Sequence, residues 1–162
     1  MNIELIYAPQ DLQPIIKNLA RFYIYDLSEY QKRPCPSDGL YVDEDYSRYW
    51  EKSGHHPFLV KAQGELAGFA LIEEGGSTPE VDYQIAEFFI LRKFRGEGLG
   101  RTAARELFNR FPGRWEVMAL INNYPAIIFW EKVISEYAQG NYTKSLEFHE
   151  TEMIVFRLSS QG

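Results

Sequence analysis

Four cationic side chains and three glycines crowd into ten positions, Arg92-Lys93-Phe94-Arg95-Gly96-Glu97-Gly98-Leu99-Gly100-Arg101. Glycine adopts positive φ without strain and carries no Cβ, so Gly96, Gly98 and Gly100 let a ligand come up against the backbone. A helix that starts directly after such a turn aims its first amides, which lack intrahelical acceptors, back at the loop. Together these features describe an anion cradle, suited above all to phosphate. Arg92, Lys93, Arg95 and Arg101 set four positive charges against Glu97, within a chain whose net charge is −6. A basic loop in an acidic protein points to a small polyanionic ligand.

The identity of that ligand is constrained by what the loop lacks. No Lys-Ser or Lys-Thr pair follows the glycines, so the Walker pattern fails. Gly98-Leu99-Gly100-Arg101-Thr102-Ala103 fits the G-x-G-x-x-A form of a dinucleotide fingerprint, with Glu116 in the following strand. More than half of the chain precedes this motif, however, and too little follows it for a complete doubly wound domain.

The surrounding pattern supplies elements to hold the loop. Ile3, Leu5 and Tyr7 alternate as a short strand, and Asp11 is placed to cap a helix carrying Leu12, Ile15, Ile16, Leu19, Phe22 and Tyr23. Lys32 to Asp45, punctuated by Pro34, Pro36 and Gly39, reads as irregular, ending in the acidic run Asp43-Glu44-Asp45. A hairpin follows, Phe58 to Ala62 and Leu66 to Glu73 about Gln63-Gly64, then a long buried strand from Asp82 to Leu91. After the glycine loop, Ala104, Leu107, Phe108 and Phe111 mark an amphipathic helix ended by Pro112-Gly113. Trp115 to Ile121 is a strand, and Asn122-Asn123-Tyr124-Pro125 is a helix entry with an Asn cap and an early proline. Two strands, near Tyr142 to Phe148 and Met153 to Leu158, close the chain. This order implies one α/β (α+β) domain over residues 1–162 with a mixed sheet.

Two motifs in that order carry a family resemblance. Arg95-x-x-Gly98-x-Gly100, after a long strand and before a helix, resembles the acetyl-CoA signature of the GNAT N-acetyltransferase superfamily. Asn123-x-x-Ala126-x-x-Phe129-Trp130-x-Lys132, again at a helix start, is similar to that family's second signature. The resemblance covers nearly the whole chain. It implies a mostly antiparallel sheet of six to seven strands flanked by helices and splayed at its two central parallel strands. It also implies that loop amides at Arg95, Gly96, Gly98, Gly100 and Arg101 hold the CoA pyrophosphate. Free backbone groups of Phe89, Ile90 and Leu91 would pair with pantetheine, and one of their amides would polarise the thioester carbonyl. Asn123 matches the residue that touches the pantetheine arm, although an Asn cap needs no ligand. No metal is implied.

Transfer to an amine requires the amine neutral, hence a general base. Glu87, on the long strand, matches a position where family members often carry that carboxylate; pairing with a nearby Arg is its alternative. Many members carry a tyrosine, the acid for the departing thiolate, where this chain has Trp130, whose indole N–H does not ionise usefully. Trp130 is left to pack at the CoA thiol region or in the core. The proton source stays open between Tyr124, Tyr137, Tyr83 and water. His55-His56 reads as a loop pair, and His149 carries no clear role.

The resemblance implies an acceptor region at the first helix, the loop after it and the C-terminal hairpin. From Asp26 to Glu51 there are seven acids (Asp26, Glu29, Asp38, Asp43, Glu44, Asp45, Glu51) against Lys32, Arg33 and Arg48. Tyr23, Tyr25, Tyr30, Tyr41, Tyr46, Tyr49 and Trp50 share the stretch. Acids and aromatics together suit a small-molecule or peptide amine in cationic form; solvated surface for the acids and core packing for the aromatics are the alternative readings. The expected activity is direct acetyl transfer from acetyl-CoA to a primary amine; Trp130 keeps open a non-catalytic CoA-binding sensor or regulatory module. A homodimer is an assembly the family often adopts.

Composition bounds the remaining classes. With 162 residues, 45% apolar and 15% aromatic, the chain can build a substantial core. Its acidity argues against nucleic acid as a partner. Cys35, the single cysteine, excludes an internal disulfide and a cysteine-rich zinc site. No apolar run spans a membrane and Met1-Asn2-Ile3-Glu4 lacks a basic leader, so a cytoplasmic protein without membrane contact is expected.

Overall fold

The computed structural model describes residues 2–41 and 45–162, so Asp43 and Glu44 of the acidic run lie outside the described residues. Strand β1 (Ile3–Tyr7) leads through a 3-10 turn (Gln10–Leu12) into helix α1 (Gln13–Gln31). A short helix α2 (Arg48–Glu51) precedes the hairpin β2 (His55–Ala62) and β3 (Glu65–Glu74), then β4 (Tyr83–Ile90). A second 3-10 turn (Arg92–Phe94) opens onto helix α3 (Leu99–Arg110), strand β5 (Gly113–Leu120) and helix α4 (Tyr124–Tyr137). The hairpin β6 (Tyr142–His149) and β7 (Thr151–Ser160) completes the chain. The seven strands form one mixed sheet in the order β1-β2-β3-β4-β5-β7-β6, antiparallel throughout except for β4–β5. Among the described residues, no helix is long and apolar enough to cross a membrane.

Several local expectations are corrected. Asp11 lies inside the 3-10 turn rather than capping α1, which starts at Gln13 with a proline in its first turn and no side-chain cap. Ile16, Leu19, Ala20 and Ile24 form the buried stripe of α1, and the helical phase turns Phe22 out to solvent. His55 and His56 open β2 instead of sitting in a loop. Helix α2 is one turn long, too short to show a period in the sequence.

The sheet separates two apolar clusters. On one face α3 and α4 bring Leu99, Leu107, Phe108, Trp130 and Ile134 against Val60, Trp115 and Phe156. On the other, α1 and α2 bring Ile16, Leu19, Ile24 and Tyr49 against Leu59, Phe69, Leu71 and Phe89. Trp115 is fully buried, and its indole N–H is satisfied by the Phe111 carbonyl at 2.9 Å and Ser160 Oγ at 3.1 Å.

Strand β4 belongs to both clusters in an irregular way. Tyr83 and Ile85 face α3 and α4, whereas Ala86, Phe89 and the Glu87 side chain belong to the α1 side. Strict alternation would put Ile85, Glu87 and Phe89 on one face. The register shows what breaks it: Ile72 pairs with Ile85, the next residue Leu71 pairs with Glu87, and Ala86 is extra. This β-bulge reverses the phase of the strand beyond it. Pairing with β5 ends at the same point, because β4 and β5 are in register only from Tyr83↔Trp115 to Ile85↔Val117. Past the bulge, β4 stays with β3 and β5 stays with β7, and the sheet opens between them.

The close approach of β3 to β4 there depends on Gly68, opposite Ile90. A Cβ on Gly68 would overlap the Phe89 carbonyl oxygen and crowd Ile90 Cα, both of them backbone atoms. Gly68→Ala is therefore expected to destabilise the protein by about 2 kcal/mol or more, read as the loss of unfolding free energy in a urea titration.

Candidate active site

The gap between β4 and β5 is the floor of a cleft of about 1010 Å³. Residues 85–90 of β4 and 116–120 of β5 line it, with the glycine loop and α4 on one side of the sheet and Tyr23 to Gln31 of α1 on the other. A cleft of this origin has polar walls by construction, because strand edges that face no partner strand present unpaired backbone N–H and C=O groups.

Alternation decides which groups those are. The Leu91 N–H donates to the Ala67 carbonyl at 2.8 Å, which commits Leu91 to β3, and Phe89, two residues away, faces the same way. The expectation of free backbone groups at Phe89, Ile90 and Leu91 is thus corrected at Phe89 and Leu91: Phe88 and Ile90 turn their backbones toward the gap. The Ile90 carbonyl is already taken by Arg95 Nε at 2.7 Å.

Two of the three loop glycines adopt positive φ, and Gly100 is helical. Gly96 and Gly98 both hold φ near +83°, and Gly98 stands as the cap residue of α3 with no side chain to cover the first amides. The first intrahelical bond runs from the Thr102 N–H to the Gly98 carbonyl at 3.0 Å. Gly100, the second residue of α3, is where α3 meets α4: a Cβ there would approach the Phe129 ring to 3.2 Å. The loop's positive charge is largely answered, which the sequence did not foretell. Asp26 of α1 binds Arg92 at 2.7 Å and Arg95 at 2.8 Å, Lys93 pairs with Glu65, and Arg101 with Glu136 at 3.3 Å. Arg95 also lies over the Phe89 ring, 5.4 Å from its centroid. Its guanidinium ties α1, β4 and the loop together, and the first amides of α3 have no side-chain cap.

On α4, Asn123 caps the helix, its Oδ1 accepting from the Ala126 N–H at 3.2 Å, and it also lines the cleft. Trp130 is buried at the cleft wall, edge-on to Phe88 at 5.0 Å and to Phe129 at 4.9 Å. Tyr124 is placed elsewhere. Asn123, Ala126, Phe129, Trp130 and Val133 share the inward stripe of α4, which turns Tyr124 and Ile128 outward, 68% and 69% exposed. Tyr83 packs on Phe111 and Trp115, and Tyr137 donates to Asn109 at 2.7 Å with its pKa raised by burial. None of these three is among the cleft-lining residues, whereas Tyr23 and Tyr30 are.

Glu87 is half-buried in the cleft on the α1 side, and its Oε2 accepts from the Tyr46 hydroxyl at 3.0 Å. A second phenol–carboxylate pair stands beside it. Tyr49 donates to Glu73 at 2.5 Å, and Gln84 donates to the other Glu73 oxygen at 3.1 Å. Burial, followed by the bond to Glu73, pushes the Tyr49 hydroxyl far above the ordinary tyrosine range. No spacing in the sequence links Tyr46 to Glu87; the crowding of tyrosines before residue 50 was the available signal. His55 packs edge-on to Tyr49, His56 contacts Glu74, and His149 contacts Glu147, all away from the cleft lining.

At the β5 end of the cleft lining, Glu116 is almost completely buried. It is compensated by the Ser77 N–H at 3.0 Å, the Ser77 hydroxyl at 2.6 Å and Arg157 Nε at 2.9 Å. Arg157 in turn grips Glu147 through two bonds of 2.6 and 2.9 Å. That grip, helped by Ser145, lowers the Glu147 pKa to about 2.

Known proteins place this architecture. The model described as acetyltransferase (GNAT) family matches residues 21–134. A search of curated proteins returns no sequence match. An acetyltransferase from Thermus thermophilus superposes with a TM-score of 0.69 at 15% identity, over 98% of this chain and 97% of that one. Spermidine N-acetyltransferase from Vibrio cholerae, solved with CoA and spermine, gives 0.66 at 14% identity, over 98% and 95%. The ribosomal-protein-S18-alanine N-acetyltransferase from Escherichia coli gives 0.63 at 10% identity, over 99% and 96%. At such identities the likeness is one of fold.

The lowered Glu147 pKa has a pH signature. A carboxylate depressed from 4.5 to about 2 stabilises the fold fully above pH 4.5, and this contribution is lost as pH falls toward 2. Thermal melts between pH 5 and pH 2 should show the wild type losing stability more steeply than Glu147→Gln, which has no proton to take up there.

Proposed function

The chain belongs to the GNAT acetyltransferase family, whose co-substrate is acetyl-CoA, and on that premise we propose that it acetylates a primary amine by direct transfer in a ternary complex. The observation that carries the proposal is the gap in the sheet. It opens to α3 and α4 on one face and to α1 on the other, with Glu87 on the α1 side. Two substrates can meet there from opposite faces.

On the first face, the amides from Gly96 to Arg101 receive the pyrophosphate, with positive ends of peptide dipoles doing what the paired arginines leave undone. The backbone groups of Phe88 and the Ile90 N–H pair with the pantetheine arm, and Asn123 meets it from α4. Trp130 and Phe129 wall the thiol end with apolar surface and exclude water. Bound acetyl-CoA supplies a thioester carbonyl, which an amide of the Phe88–Ile90 edge polarises as oxyanion donor. On the second face, the acceptor enters past Tyr23, Glu29 and Tyr30, a carboxylate and two phenol rings that favour a cationic amine. Glu87 removes the ammonium proton and frees the lone pair for attack. With Tyr124 outside the cleft, water protonates the departing thiolate, which leaves readily without a dedicated acid.

Thiol release from acetyl-CoA should be measured over spermidine, an aminoglycoside and a lysine peptide. Glu87→Gln is expected to lower kcat by about 100-fold and leave CoA affinity unchanged by calorimetry. Tight CoA binding with no turnover on any of the amines would instead support the sensor reading. Gly98→Val places a β-branched residue at φ +83° and should abolish CoA binding while circular dichroism stays native-like; unchanged affinity would remove the loop from the site.

A further inference from the structure

We propose that Tyr46 is the positioning residue of the transfer reaction: its hydroxyl aims the Glu87 carboxylate at the acceptor amine. The inference rests on the assignment of Glu87 as general base. Tyr46 lies 41 positions upstream, yet its ring is only 4% exposed and its hydroxyl donates to Glu87 Oε2 at 3.0 Å.

A lone glutamate in a cleft rotates about its last torsion, which has a broad, soft profile. A donor on one oxygen removes that freedom and directs the other oxygen along a defined line. Productive proton transfer demands such alignment, because the N–H bond that breaks and the O–H bond that forms share one axis within hydrogen-bond reach. The proton moves from ammonium to carboxylate, and the nitrogen keeps the electron pair that attacks the thioester.

The segment carrying Tyr46 is anchored well enough to serve as a fixed reference. The Ser47 N–H is held by Asp45 at 2.9 Å, and Trp50 Nε1 donates to the Ala8 carbonyl at 2.8 Å. Tyr49 is tied to Glu73 on β3, the neighbour of β4. Tyr46 therefore reaches Glu87 from a support bonded to the β1–α1 connection and to β3. The bulge at Ala86 is what brings Glu87 round to meet it.

A double-mutant cycle tests the idea, with acetyl-CoA and the amine from the panel above that turns over fastest. Tyr46→Phe keeps the ring and should lower kcat by roughly tenfold, with KM for acetyl-CoA and the melting midpoint within error of wild type. In a Glu87→Gln background the same substitution should cause no further loss, because a residue acting through Glu87 has nothing left to aim. An equal loss in both backgrounds, or full activity of Tyr46→Phe beside an inactive Glu87→Gln, would overturn the role of Tyr46 and leave Glu87 as base. Full activity of Glu87→Gln, or silence on every amine, would overturn the base assignment and the role of Tyr46 with it.

Discussion

One inserted residue in one strand governs the architecture of this protein. At Ala86, β4 carries one residue more than its antiparallel partner can match, and beyond it the strand has reversed its phase and lost its pairing with β5. An unbroken sheet would saturate the backbone groups of β4 on both edges and present a closed floor. The bulge leaves an edge open in the middle of the sheet, turns Glu87 toward α1, and turns Phe88 and Ile90 toward α4. Gly68 lets β3 stay close enough to hold the splayed end of β4 in place.

The electrostatics follow a division of labour between fixed dipoles and mobile charges. Arginines beside a glycine loop invite the reading that they grip phosphate directly. In three dimensions Asp26, Glu65 and Glu136 meet them first. Each of these contacts is exposed enough that its worth as an ion pair is modest, but Asp26 spans from α1 to the glycine loop. The two halves of the cleft are thereby joined through one carboxylate and the Arg95 side chain, which also closes off the Ile90 carbonyl. The loop amides carry dipoles that side-chain pairing does not quench.

Much of the fold was legible because the relevant patterns are local. Leu107, Phe108 and Phe111 announce α3, Asn123 and Pro125 announce the start of α4, and the hairpin about Gln63-Gly64 is punctuated as hairpins are. Asn123 does cap its helix, as an Asn in that position should. Asp11 does not cap α1 because a 3-10 turn intervenes before the helix, and Phe22 faces solvent because an apolar residue on a helix is not obliged to face inward. Tyr124, one of the possible proton sources, is kept out of the cleft by its helical phase.

The sequence by itself determined the order of elements, the glycine loop at a helix start and the family they indicate, since spacing along the chain is sufficient to encode local hydrogen bonding and apolar periodicity. Tertiary structure alone decided which β4 amides face the gap, which acids answer the loop's cations, and that a tyrosine 41 residues away touches Glu87. Those outcomes depend on strand register and on contacts between distant segments. A single extra residue reverses a strand's faces, and no periodicity read along one strand reveals where its partner will fail to match it.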